Sequence, residues 1–199
     1  MLPVRTIIQG IASILNREVL KKSGFKKVGM TWLKEAPWTQ VINMQMGKWN
    51  TQEEGTFTIN LGLHIPELHA AIEAYPVSGS VKEYDCDVRQ RIGLLMPVRQ
   101  DFWWEVKSTS DVRSIADEVS QALLKHGIPW LDQTAQSLST IAEELKSHAS
   151  HSAAAVAFAF AGDLASANKS MANAFAHSNP LAFPKLQRLA KAHGITIPN

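Results

Sequence analysis

The sequence predicts an α+β fold: an antiparallel sheet of four or five strands packed against helices on one face, followed by an α-helical C-terminal extension. Three observations carry this. Between Trp38 and Ile65 apolar and polar residues alternate with period two, the mark of an antiparallel sheet with one buried face. Between Val4 and Leu20 the apolar residues instead recur at helical spacing. Near Ser147 the composition turns alanine-rich and poor in aromatics, as in packed helices.

In chain order, Val4, Ile7, Ile8, Ile11, Leu15, Val19 and Leu20 form one helical stripe, with Pro3 suited to a first turn and Gly24 to the C′ position. A first strand is expected over Phe25 to Leu33, with Val28, Met30 and Trp32 on one side. Pro37 separates it from a second strand, in which Ile42, Met44 and Met46 alternate with Val41, Asn43 and Gln45. A polar loop, Asn50 to Gly55, leads to a third strand, in which Phe57, Ile59, Leu61, Leu63 and Ile65 oppose Thr58, Asn60, Gly62 and His64. A short helix is expected from Glu67 to Ala74. Tyr84 to Ile92 reads as a fourth strand, with Tyr84, Cys86 and Val88 inward and Asp85, Asp87, Arg89 and Arg91 outward. Phe102 to Lys107 reads as a fifth. Ser110 is the expected N-cap of a helix that Gly127 stops. Pro129 opens another, and helices over Ser152–Ala161, Ala165–Ala176 and Phe183–His193 complete the chain. The expected division is an α+β domain over 1–146 and an extension over 147–199 packed on the preceding helices.

The chain has 199 residues, 45% hydrophobic and 19% charged, with a net charge of +2. A chain of this size buries roughly 70% of its unfolded surface and needs no metal or disulfide to fold. The charge is too small for a nucleic-acid footprint, and Lys21 and Lys22 are accounted for by a helix C-terminus. No window approaches a membrane span, and Met1 to Leu20 does not read as a signal peptide. One cysteine, Cys86, suits a reducing compartment, so a cytoplasmic location is expected.

Parity gathers Thr31, Asn43, Gln45, Thr58, Asn60, His64, Asp85, Asp87, Arg89 and Arg91 on the face opposite the core. The ligand-binding candidates are Asn43, Gln45, Asn60, His64, Arg89 and Arg91. The face could be a plain solvated surface. It could be a binding surface, with amides giving donors and acceptors and an arginine clamping an anion. Or a loop or helices could fold over it, in which case the amides must bond one another. Trp49 at the turn and Trp103, which cannot face inward together with Trp104, are interface candidates.

Other chemistry is poorly served. Cys86, flanked by Asp85 and Asp87, is set against thiolate formation and reads as a small core residue. Glu144, His148 and His151 share a face only if their helix continues, and three serines argue that it ends there; no metal site is expected. Asp85, Asp87 and Glu105 could form a carboxylate pair, but no nucleophile–base pair is visible. No phosphate loop, dinucleotide turn or nucleophile elbow occurs, so no cofactor is implied.

The segments "GFKKVGMTWLK", "QVINMQMGKWN…GTFTINLGLHI", "CDVRQRIGLL" and "FWWEV…SDV", the last before a helix ending "LLKHGIPWLDQ", stand in an order that resembles a bacterial family, domain of unknown function 4304, over about residues 4–131. The resemblance implies an α+β domain with an antiparallel sheet, and no activity or catalytic residue. The stretch "AAAVAFAFAGDLASANKSMANAFAHSNP" is weakly similar to a tetratricopeptide-type helical pair, with Ala157, Ala161, Gly162, Ala165 and Ala167 expected where the helices approach. A single such unit must pack on neighbours to bury its apolar face.

The function expected is a non-enzymatic binding or protein-interaction module using the polar sheet face, its partner an unknown protein or a small polar ligand. The alternative is a small hydrolase or small-ligand sensor with an Arg/His/amide-lined pocket.

Overall fold

The computed structural model describes residues 2–35, 37–73 and 76–197. It forms two units: Met1–His64 with Gly79–Asp132, and Ile65–Ser78 with Gln133–Asn199.

The first unit is built on an antiparallel sheet. Its strands are β1 (Lys26–Val28), β2 (Thr31–Glu35), β3 (Thr39–Met46), β4 (Glu54–His64), β5 (Val88–Arg91) and β6 (Trp104–Lys107). The order is β1-β2-β3-β4-β5, and β6 also pairs with β4. Strand β4 is long enough to serve two partners along one flank: β5 takes residues 60–63 and β6 takes 54–57. Helices α1 (Val4–Leu15) and α4 (Val112–Ala122) run into the π-turns Asn16–Leu20 and Leu123–Gly127, and α5 (Ile128–Thr134) follows the second. Ile7, Ile8, Ile11 and Leu15 of α1, with Ala116, Val119 and Leu123, meet Trp32, Ile42, Met44, Phe57, Ile59, Leu61 and Trp104 of the sheet in one core. Each fully buried aliphatic side chain contributes roughly 1.5–3 kcal/mol. The apolar half of the alternation therefore lies where period two placed it.

Several local expectations are corrected. The single strand over 25–33 is a hairpin. Gly29, at φ +65°, opens a two-residue turn, the position where such loops need glycine. The turn reverses the chain, so Val28 lies opposite Thr31 and is 47% exposed, while Trp32 is buried. This hairpin supplies the sheet's sixth strand. Tyr84 is not a strand residue: it sits 72% exposed in a 3₁₀ turn, Glu83–Asp85, and the strand starts only at Val88. It ends at Arg91, where the short helix α3 (Ile92–Leu95) begins. The N-cap of α4 is Asp111, accepting from the Arg113 amide, while Ser110 accepts from the Lys107 amide. Gly127 does not stop its helix. Unlike Gly24 at φ +88°, it is not in the left-handed region. The helix passes through the π-turn, and Pro129, which has no N–H, falls just beyond it.

The second unit is helical: α2 (Pro66–Glu73), α6 (Leu138–Ser147), α7 (His151–Phe160), α8 (Leu164–His177) and α9 (Phe183–Ala192). Ala74, the expected end of α2, lies outside the described residues. Ser137 and Thr140 cap α6 reciprocally, breaking the run that began at Pro129. Helix α7 packs against α6 and α8. Ala154, Ala155, Ala157, Ala167, Ser170 and Ala174 are buried in this unit. Ala161, Gly162 and Ala165 are instead exposed around the α7–α8 turn, where Gly162 takes φ +81°.

Candidate functional site

Register decides which side chains share the polar face. Thr31 lies opposite Asn43, Asn43 opposite Asn60, Asn60 opposite Arg91, and Gln45 opposite Thr58. Asn43 and Asn60 therefore lie on one side of the sheet, away from the core. Asn60 is only 4% exposed and donates from Nδ2 to Oε1 of Gln45 at 2.7 Å. Asn43 donates to the Thr31 hydroxyl at 2.9 Å. The fully buried Thr58 donates to the Phe102 carbonyl at 2.8 Å. At its centre the face is thus covered, and its amides are paired, Asn60 with Gln45 and Asn43 with the Thr31 hydroxyl, as they must be where a buried amide left unpaired costs about 1–3 kcal/mol.

The covering segment carries a charged cluster. Arg91 Nη1 donates to both carboxylate oxygens of Asp101, at 2.8 and 3.0 Å. The Trp103 indole N–H donates to the same carboxylate at 3.1 Å, and the Arg91 guanidinium lies 5.2 Å from the centre of that ring. Burial pushes the Asp101 carboxyl up, but the hydrogen bonds from Trp103 and Arg91 outweigh it and hold the group below the ordinary carboxylate range. Trp103 and Trp104 turn to different sides. Trp104 stacks on Phe57 in the core at 5.5 Å, and Trp103 stays half-buried outside it.

Beside this cluster lies a cavity of about 690 Å³, within the range of small-ligand sites. Gln45, Trp49 and Trp103 line it, with Glu54 and Thr56 of β4 and Glu105 and Lys107 of β6. Lys107 lies opposite Glu54 and Glu105 opposite Thr56, so these four stand on the same sheet face as Gln45. The loop carrying Trp49 is held by Asn50, whose side chain accepts from the Thr56 amide at 2.8 Å and donates to the Thr56 carbonyl at 2.9 Å. Trp49 is 83% exposed, with Lys48 Nζ 4.9 Å from its ring centre.

Three of the eight expected site residues, Gln45, Trp49 and Trp103, thus meet in one groove. Asn60 holds Gln45 diagonally across the β3–β4 ladder, Arg91 holds Trp103 from the side, and Asn43 is engaged with β2. The other two are elsewhere. His64 is six residues along β4 from Thr58, roughly 20 Å away, and pairs with Asp87 at 3.3 Å, both side chains being buried. Arg89 donates to Glu83 at 2.8 Å, which raises the guanidinium pKa further. Glu105 is equally far along β4 from Asp87, whose amide donates to the Leu63 carbonyl, so the two do not make a carboxylate pair.

Cys86 is a small buried residue as expected, but it lies on the amide face rather than in the main apolar cluster. Its sulfur lies over Gly62, where a Cβ would come within 2.5 Å of it. Gly62 sits on the amide face, opposite Arg89. Cys86 precedes β5, so strand parity does not govern it. Burial, then the nearby Glu83 and Asp87, pushes its thiol pKa far up, which keeps it protonated. In the helical unit, α6 ends at Ser147; His148 sits 3.4 Å from Glu144, and His151 belongs to α7.

Asp101 and Lys107 were missed as site residues, and Glu105 was weighed only as a member of a carboxylate pair. The parity of β6 does place Glu105 and Lys107 outward. That β6 lies against the start of β4, beside Gln45, depends on a long-range pairing that periodicity does not encode.

A family model for a domain of unknown function, DUF4304, matches residues 16–133, more than half of the chain. The chain belongs to the DUF4304 family. Among curated proteins and among solved structures nothing matches it. The DUF4304 region includes all six strands of the sheet and every residue lining the groove. Among the described residues no helix is long and apolar enough to cross a membrane.

Proposed function

We propose that this DUF4304 protein is a non-enzymatic binding module, and that it works through the rim of the polar sheet face where β3, β4 and β6 meet. The observation that supports the reading is that Gln45, Trp49 and Trp103, from three separate segments, line one cavity of about 690 Å³. Two indoles and a held amide combine apolar area with directed hydrogen bonding, the usual make-up of a recognition site. The runner-up, a small hydrolase or ligand sensor using Arg89, Arg91, His64 and the amides, has less support. Both guanidiniums are engaged by carboxylates, and neither they nor His64 line the groove. A cytoplasmic setting goes with this reading, since the single cysteine is free and buried. The partner is a protein or a small polar ligand.

Affinity capture from the native host tests the reading. Wild-type protein should retain a partner or ligand that Trp49→Ala loses, with the melting temperature unchanged because Trp49 is largely exposed. A Trp49→Ala, Gln45→Ala protein that retains everything wild type retains would defeat it.

A further inference from the structure

We infer that the groove takes a neutral, hydroxyl-rich ligand, a short oligosaccharide segment. The inference rests on the binding-module reading and names its ligand class. The charged residues lining the cavity are Lys48 and Lys107 against Glu54 and Glu105, so the lining carries no net charge. Among the described residues none of these four is in an ion pair. An anion site needs an excess of cations and a cation site the reverse. A balanced set with no ion pair, in which Lys48 rests only against the Trp49 ring, instead offers donors and acceptors side by side, which is what adjacent hydroxyls require, each being donor and acceptor at once.

The uncharged residues agree. Gln45 accepts with its side-chain oxygen from Asn60 Nδ2 at 2.7 Å. Its orientation is therefore set, with the NH₂ group left to donate. Trp49 and Trp103 supply flat apolar walls, suited to the C–H face of a sugar ring. Trp103 is fixed before any ligand arrives, by its bond to Asp101 and by Arg91 against its ring. Fixed walls reduce the ordering cost of binding.

Tryptophan fluorescence and calorimetric titration of the full chain test this, with chitotetraose and cellotetraose as neutral probes and a sulfated heparin tetrasaccharide as the anionic one. The expected result is saturable binding of a neutral probe that is insensitive to salt. Trp49→Ala should weaken it about tenfold or more, and Trp49→Phe should recover part of the loss. No response to either neutral probe at about 10 mM, a concentration that would reveal even millimolar affinity, overturns the inference. So does salt-sensitive binding of the sulfated probe alone. If the neutral probes fail while Trp49→Ala still abolishes capture of a host partner, the ligand class is wrong and the binding-module reading stands. If Trp49→Ala changes neither measurement, both fall.

Discussion

Asn60, buried in β4, donates its side-chain amide to Oε1 of Gln45, exposed on β3, at 2.7 Å. This diagonal contact joins the covered centre of the polar face to its open rim. It accounts for two amides of poor strand propensity side by side: one satisfies the other, and the outer one is aimed in the process.

Gln45→Ala should therefore cost about 1–3 kcal/mol in urea unfolding, because it strips the acceptor from a buried N–H. It should also weaken any ligand of the groove. Asn60→Ala should cost a similar amount, about 1–3 kcal/mol, for a different reason: it leaves the exposed Gln45 to water but opens space in the covered part of the polar face. In a double-mutant cycle the two should couple by at least about 0.5 kcal/mol. Strict additivity would show that the bond contributes nothing.

Adjacent tryptophans should behave differently. Trp104 stacks on Phe57 in the core, so Trp104→Ala should destabilise by about 3–5 kcal/mol. Trp103→Ala should cost about 1 kcal/mol or less and act mainly on binding. Thermal and chemical denaturation of the two variants would separate them, and equal losses would show that the groove wall is part of the core.

Gly62→Ala should destabilise by about 1–3 kcal/mol, because the added methyl would meet the Cys86 sulfur at 2.5 Å and its Cβ at 2.8 Å. Combining it with Cys86→Gly should restore part of the loss. Absence of any rescue in chemical denaturation would point to the backbone rather than to Cys86.

The Asp101 cluster gives a pH dependence. Its carboxyl titrates below the ordinary value in the folded protein, so the unfolded chain takes up the proton first as pH falls. The stabilisation is complete above the unfolded value of about 3.9 and is lost as pH drops through it and below the folded value. Wild type should thus exceed Asp101→Asn in melting temperature at pH 7, and the gap should close in strongly acid solution. A gap independent of pH would remove the carboxylate from the cause.

Much of the fold was legible because apolar and polar side chains alternate over a long run in β3 and β4, a pattern that survives even though β4 is buried on both faces from Phe57 to His64. Asn43, Asn60 and Arg91 share a face, as their odd–even positions require. Parity failed where the chain turns or leaves the ladder. Gly29 hid a reversal inside an apparently continuous strand, and Cys86 precedes its strand by two residues. The groove was half legible. Trp49 and Trp103 stood out as aromatics without an inward position, but nothing local indicated that they line the same cavity.

The double occupancy of one flank of β4 has a consequence for how this protein can diverge. The chain leaves β5, wanders through residues 92–103, and rejoins the same strand as β6. That excursion delivers Trp103 and Asp101, whereas the opposite wall of the groove rides on the tip of the β3–β4 hairpin. Lengthening or recomposing the detour would reshape one side of the recess while every rung of the ladder stayed in place. The scaffold is thus suited to retuning what it accepts without being refolded.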